Sequence, residues 1–114
     1  MHTRDIPRSE WRTELDQFSR EHEGCLARVE VTSGGGQPKT EADDLPLQGI
    51  SADSPRNDAI AIVVGDRPDD HLTHEVASAV AVTMEEAESG DDKGVRIRGA
   101  DGTLVHVECR KHRP

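Results

Sequence analysis

From residue 25 onwards the apolar side chains of this chain recur at every second position, and that period dictates sheet. Cys25, Ala27, Val29 and Val31 alternate with Arg28, Glu30 and Thr32, the pattern of a strand with one buried face and one wet face. Ile60, Ile62 and Val64 alternate with alanine and valine, which fits a strand covered on both sides. Val80, Val82 and Met84 share a face, followed by Val95 with Ile97 and Val105 with Val107. Trp11 and Phe18 are the only aromatics, and both precede this region. The sheet core is therefore built from valine, isoleucine, leucine and alanine.

The last two runs fix their own register. Paired strands must put their apolar residues on the same face. A two-residue loop at Asp101 and Gly102 would set Ile97 against His106. A three-residue loop, Ala100-Asp101-Gly102, sets Ile97 against Val105, Val95 against Val107 and Arg96 against His106. The second register matches. It predicts a type I turn with a bulge, and Gly102 in the left-handed region.

Ahead of the sheet the period changes. Trp11, Leu15 and Phe18 fall at i, i+4 and i+7, one stripe of a helix over residues 8–23. Arg12, Asp16, Arg20 and Glu23 occupy the other side. Pro7 or Ser9 suits the helix start and Gly24 its end. A helix with one apolar stripe must dock, and the sheet is the available surface.

Charge and cysteine usage narrow the function classes. The chain has 114 residues, 23 acids against 14 lysines and arginines, and a formal charge of −9. Such a surface repels phosphate backbones and anionic membranes. One local exception is a basic patch expected from Arg96, Arg98, Arg110, Lys111 and Arg113. No apolar run is long enough to span a bilayer, and the first residues lack the apolar core of a signal peptide. A chain of this length buries about two thirds of its unfolded surface, so folding requires no metal or disulfide. Arginine outnumbers the three lysines, Lys39, Lys93 and Lys111, which fits a GC-rich bacterial genome. The compartment expected is the cytoplasm. There Cys25 and Cys109 are expected to be reduced, buried thiols rather than a redox pair.

Five segments together carry a resemblance: IPRSEW near the start, FSREHEG closing the helix, DLPLQGIS, GDRPDDHLTH, and the ADGT hairpin. In this order, from about Thr3 to Arg110, the chain resembles a family of small, mostly bacterial proteins, domain-of-unknown-function family 5335. The resemblance implies a self-contained domain and supplies no activity, substrate or catalytic residues. One departure is Cys25, where the family commonly has an aromatic after the helix-ending glycine. That weakens any functional role for this cysteine.

Potentially chemical side chains crowd together only in the loop of residues 65–75. Asp69, Asp70, His71 and His74 offer imidazole and carboxylate ligands for a divalent metal or a small ligand. The two imidazoles share a side only if the loop turns helically there. The plainer alternative is a polar loop with locally bonded histidines. The acids at 41–44 and 85–88 lack calcium-loop spacing and read as solvated faces. No nucleophile elbow, phosphate-binding glycine loop or zincin motif occurs.

These features predict an α+β domain over residues 1–114. An N-terminal helix packs through Trp11, Leu15 and Phe18 on a curled antiparallel sheet of five or six strands, a partly open small barrel. The strands are expected at 25–32, 47–53, 59–64, 79–88, 95–99 and 103–110. The function expected is a non-catalytic interaction or accessory module with an acidic surface. Its partner is a protein or a second copy of the chain, not nucleic acid or membrane. The alternative is a metal- or ligand-binding protein using the Asp69–His74 loop, and an unrecognised hydrolase ranks third.

Overall fold

A computed structural model describes residues 2–54, 57–65, 71–86 and 92–110. Its elements in chain order are β1 (His2–Asp5), a 3-10 turn (Arg8–Glu10), α1 (Trp11–His22), β2 (Leu26–Thr32), β3 (Pro38–Ser54), β4 (Asn57–Val64), β5 (Leu72–Val76), β6 (Ala79–Glu86), β7 (Asp92–Gly99) and β8 (Leu104–Arg110). Among the described residues, the eight strands form one antiparallel sheet in the order β1-β6-β7-β8-β2-β3-β4-β5.

The five or six strands and the partly open barrel expected from sequence do not fit this sheet. Two strands escaped the alternation argument. β1 reads His-Thr-Arg-Asp and has no apolar residue. β5 lies inside the stretch read as a loop, and only Val76 of it is fully buried. The sheet is also not closed: β1 and β5 stand at its two ends and do not pair with each other.

β3 determines the shape. It is 17 residues long, and its first half pairs with β2 while its second half pairs with β4. The sequence reading expected no strand between residues 32 and 47. Instead the strand runs through, with register shifts opposite Ala27–Glu30. Asp44 takes up the extra length with φ 57°, a left-handed conformation that aspartate tolerates better than most residues. Bulges bend a strand, and this sheet doubles over so that β4 contacts β6 and β5 contacts β7. The core lies inside the fold. Leu47, Ile50, Ile60, Ile62 and Val64 meet Val29, Val82, Met84, Val95, Ile97, Val105 and Val107 there, all essentially inaccessible.

The helix packs mainly on β3. Trp11, Leu15 and Phe18 are buried, and the Trp11 Nε1–H donates to the Ile6 carbonyl at 2.9 Å. Ser19 Oγ accepts the Ile50 N–H at 2.8 Å and lies 2.8 Å from the Leu15 carbonyl and 2.9 Å from that of Ile50. Pro7 opens the 3-10 turn, and no side chain caps the helix N-terminus, so Ser9 does not serve there. Gly24, at φ 83°, ends the helix and donates its N–H to the Leu47 carbonyl. The β7–β8 hairpin has the predicted register, Val95 with Val107 and Ile97 with Val105, with Gly102 at φ 90°.

Candidate functional site

The four residues singled out from sequence do not form one described cluster. Asp69 and Asp70 lie outside the described residues. His71 is exposed just before β5, and His74 is half-buried within β5. Positions three apart on extended chain point to opposite sides, so the backbone separates the two imidazoles. His74 lines an open cleft of about 450 Å³ with Glu75, Ser78, Asp101 and Thr103. The Asp101 carboxylate there accepts the Thr103 N–H at 3.0 Å. This bond, together with the Thr103 hydroxyl, holds the carboxyl below its usual range. Among the described residues, no group of three or more His, Cys, Asp or Glu side chains is placed to hold a metal.

The cysteines depart from expectation. Cys25 and Cys109 are joined by a disulfide, with Cα atoms 5.8 Å apart. Both are buried, as expected of small apolar residues, but they are not free thiols. The reason is topological. β2 and β8 are neighbours, and Ala27 lies opposite Cys109. Cys25 is therefore the diagonal neighbour of Cys109 on the same face, within bridging distance. The reading of two reduced thiols falls with this geometry.

The outward face of β1, β6, β7 and β8 carries more. Val80 was read as sharing the inward face of Val82 and Met84. It is instead 56% exposed, the one large exposed hydrophobic among the described residues. The cause is a bulge. Ala79 pairs with Gly99 and Ala81 with Arg98, so two steps on β6 match one on β7. Alternation breaks there: Ala79 is buried, Val80 turns out, and Val82 returns inward. Bulges re-aim side chains in this way and recur beside functional sites.

Val80 lies in an open trough of about 670 Å³ whose lining includes Ala81, Leu104, Arg8, Arg96 and Arg98. The Arg8 guanidinium sits over the Trp11 ring, 5.8 Å from its centroid. Arg96 Nη2 lies 3.2 Å from Glu85 Oε2. Arg98 is exposed and makes no ion pair with a described residue. Asp5 is the one carboxylate in the lining, and it accepts a bond from Thr83 Oγ1 at 3.0 Å.

Beside the trough stands the only buried charge among the described residues. Glu85 was read as part of a solvated acidic face. It is 6% exposed, with one carboxylate oxygen accepting from His106 Nε2 and the other facing Arg96. Gly94 makes this possible. A Cβ there would stand 2.7 Å from Glu85 Oε1 and 2.9 Å from the Val107 carbonyl. On β2, Arg28 Nε is 3.3 Å from Glu30 Oε1, yet it is shut off from solvent without hydrogen-bond geometry. The ion pair and the missing bond are compatible, since proximity sets the first and angle the second. In the Glu85 cluster a buried carboxylate is satisfied by two cationic or donor groups, an arrangement that orders a surface.

Sequence reasoning missed Val80, Glu85 and Gly94. One signal bore on Gly94 and Glu85. A glycine inside a strand often marks a close approach.

No helix among the described residues is long and apolar enough to cross a membrane. No curated protein and no solved structure matches this chain. The family comparison agrees with the five-segment resemblance and covers residues 2–114, so the chain belongs to the DUF5335 family, a family of unknown function.

Proposed function

We propose that this protein is a non-catalytic interaction module that binds a protein partner through the outward face of β1, β6, β7 and β8. The observation that carries the reading is the bulge at Val80. It turns an apolar side chain outward from a strand whose next apolar residues, Val82 and Met84, are buried. An apolar anchor ringed by arginine is the composition of binding hot spots rather than of idle surface. The neighbouring Glu85–Arg96–His106 cluster stiffens the platform, and a preorganised surface loses less entropy on binding. The chain as a whole is acidic, net −9, which disfavours nucleic acid and anionic membrane as partners. The expectation of two reduced thiols followed from the cytoplasmic reading, and the Cys25–Cys109 bond weighs against that reading.

The test is selection from a random dodecapeptide phage library on the folded protein, followed by amide-shift mapping of the winners. Shifts should concentrate at residues 79–83, 96–98 and 104, and Val80→Glu should abolish binding. Winners that map elsewhere, or bind Val80→Glu as well as the parent, remove this reading.

The second reading keeps a small ligand or metal at the Asp69–His74 loop. It is favoured by the half-buried His74 in a cleft shared with Glu75 and Asp101. Added zinc or nickel should then raise the melting temperature, and the combined His71→Ala and His74→Ala changes should cancel the rise. No rise in the parent protein removes it.

A further inference from the structure

We infer that the segment seated on the Val80 face is acidic and extended, with an apolar residue flanked by carboxylates. This deepens the interaction reading above and rests on it. The argument is charge complementarity on a narrow platform. Three guanidinium groups, Arg8, Arg96 and Arg98, line the trough against the single carboxylate of Asp5. With Arg96 engaged by Glu85, the positive charge that the trough offers an incoming group rests on Arg98, on a chain of net charge −9.

The three arginines differ in what they can offer. Arg8 lies over the Trp11 ring, and Arg96 is held by Glu85 at 3.2 Å. Arg98 is exposed and makes no ion pair with a described residue. It is therefore the group placed to receive an incoming carboxylate, in the two-pronged geometry that guanidinium favours. Arg96 and Arg98 are two residues apart on one strand and so project from the same face. Alternate residues of an extended peptide share a face, so an apolar residue that meets Val80, Ala81 and Leu104 brings carboxylates two positions before and after it towards the arginines.

The floor argues against a polyanion as occupant. A phosphate backbone has no apolar group to set against Val80, which is 56% exposed. A long polyanion would also extend past the trough onto acidic surface, whereas a peptide with two or three carboxylates stays within the basic rim. At physiological salt, charges beyond about 8 Å are largely screened, so the local rim governs a short ligand and the net charge governs a long one. A second copy of the chain brings the same net charge of −9 with it.

The composition of the library winners tests this. They should be enriched in aspartate and glutamate on both sides of an apolar residue. Arg98→Glu should weaken a synthetic winner roughly three- to tenfold, and a version with lysine for glutamate should regain affinity on Arg98→Glu. Affinity should also fall with added salt. Winners that map to the Val80 face but lack acids, or ignore Arg98→Glu, overturn the acidic segment and leave the interaction reading standing. No winner at the Val80 face removes both. Oligo-dT or anionic vesicles that bind this face more tightly than the acidic winners would overturn the peptide in favour of a polyanion. Concentration-dependent dimerisation abolished by Val80→Glu would put a second copy in its place.

Discussion

Gly94 shows how one missing side chain organises a surface. The Glu85 carboxylate occupies the space a Cβ would take, and it thereby reaches His106 and Arg96 from β6. Gly94→Ala forces that carboxylate away and presses on the Val107 carbonyl. It should cost about 1–3 kcal/mol, the usual range for overpacking, read from urea unfolding. Glu85→Ala in the same background should recover only the carboxylate's share of the loss, because the clash with the Val107 backbone carbonyl remains. A pH prediction belongs to Asp101. The Thr103 N–H, then its hydroxyl, lower the folded pKa of this carboxyl. A folded pKa below the unfolded one stabilises the native state above the unfolded value, and the gain is lost as pH falls through the lowered one. Asp101→Asn should therefore lower the melting temperature by a constant amount at neutral and alkaline pH, and the difference from the parent should vanish as pH falls through the lowered pKa. Legibility at this scale was uneven. Gly102 was readable because two apolar pairings demanded a three-residue loop. Val80 was not, because a bulge changes parity without any change in residue type.

At the scale of elements, the helix rests on two different supports. Its apolar stripe is buried, and Trp11 adds a hydrogen bond to the Ile6 carbonyl. Trp11→Ala should cost about 3–5 kcal/mol, and an unchanged melting curve would show the helix to be peripheral. The second support is polar. Ser19 joins α1 to the Ile50 N–H of β3, so Ser19→Ala leaves that donor unmet and should cost about 1–3 kcal/mol. The stripe was legible from a spacing of four and three, whereas the Ser19 bond, which spans 31 residues, was not. Strand recognition failed where alternation was absent. β1 has no apolar residue and is held by its edge pairing with β6, Arg4 reaching Glu86 at 2.9 Å and Glu14 at 3.5 Å. The first half of β3 is mostly exposed and polar, so its strand character comes from β2 alongside it rather than from its own residues. Tertiary pairing overrides weak local preference in such segments.

Across the whole molecule, the covalent constraint is the Cys25–Cys109 bond, 84 residues apart in sequence. Closing so large a loop in the unfolded chain is worth roughly 2–5 kcal/mol. The oxidised protein should weigh two mass units less than its dithiol form, and reductant with mild denaturant should lower the melting temperature by roughly 10–20 °C. A mass equal to the dithiol after purification without reductant would show the bond to be absent. The pairing was open to sequence reasoning as far as the proximity of the first and last long strands. Compartment arguments then pointed the other way, and geometry decided.

A further consequence follows from β3 serving both halves of the doubled sheet. Neither half owns it, so neither can open while the other stays shut: freeing β4 and β5 strips one end of the strand that β2 needs at its other end. Protection of backbone amides against solvent exchange should therefore be near uniform from β2 through β4, with one opening free energy equal to that of global unfolding rather than a ladder of smaller ones. The same sharing delays assembly. Pairings such as β2 with β8 and β1 with β6 join residues far apart in the chain, and topologies rich in distant contacts fold on the millisecond-to-second scale.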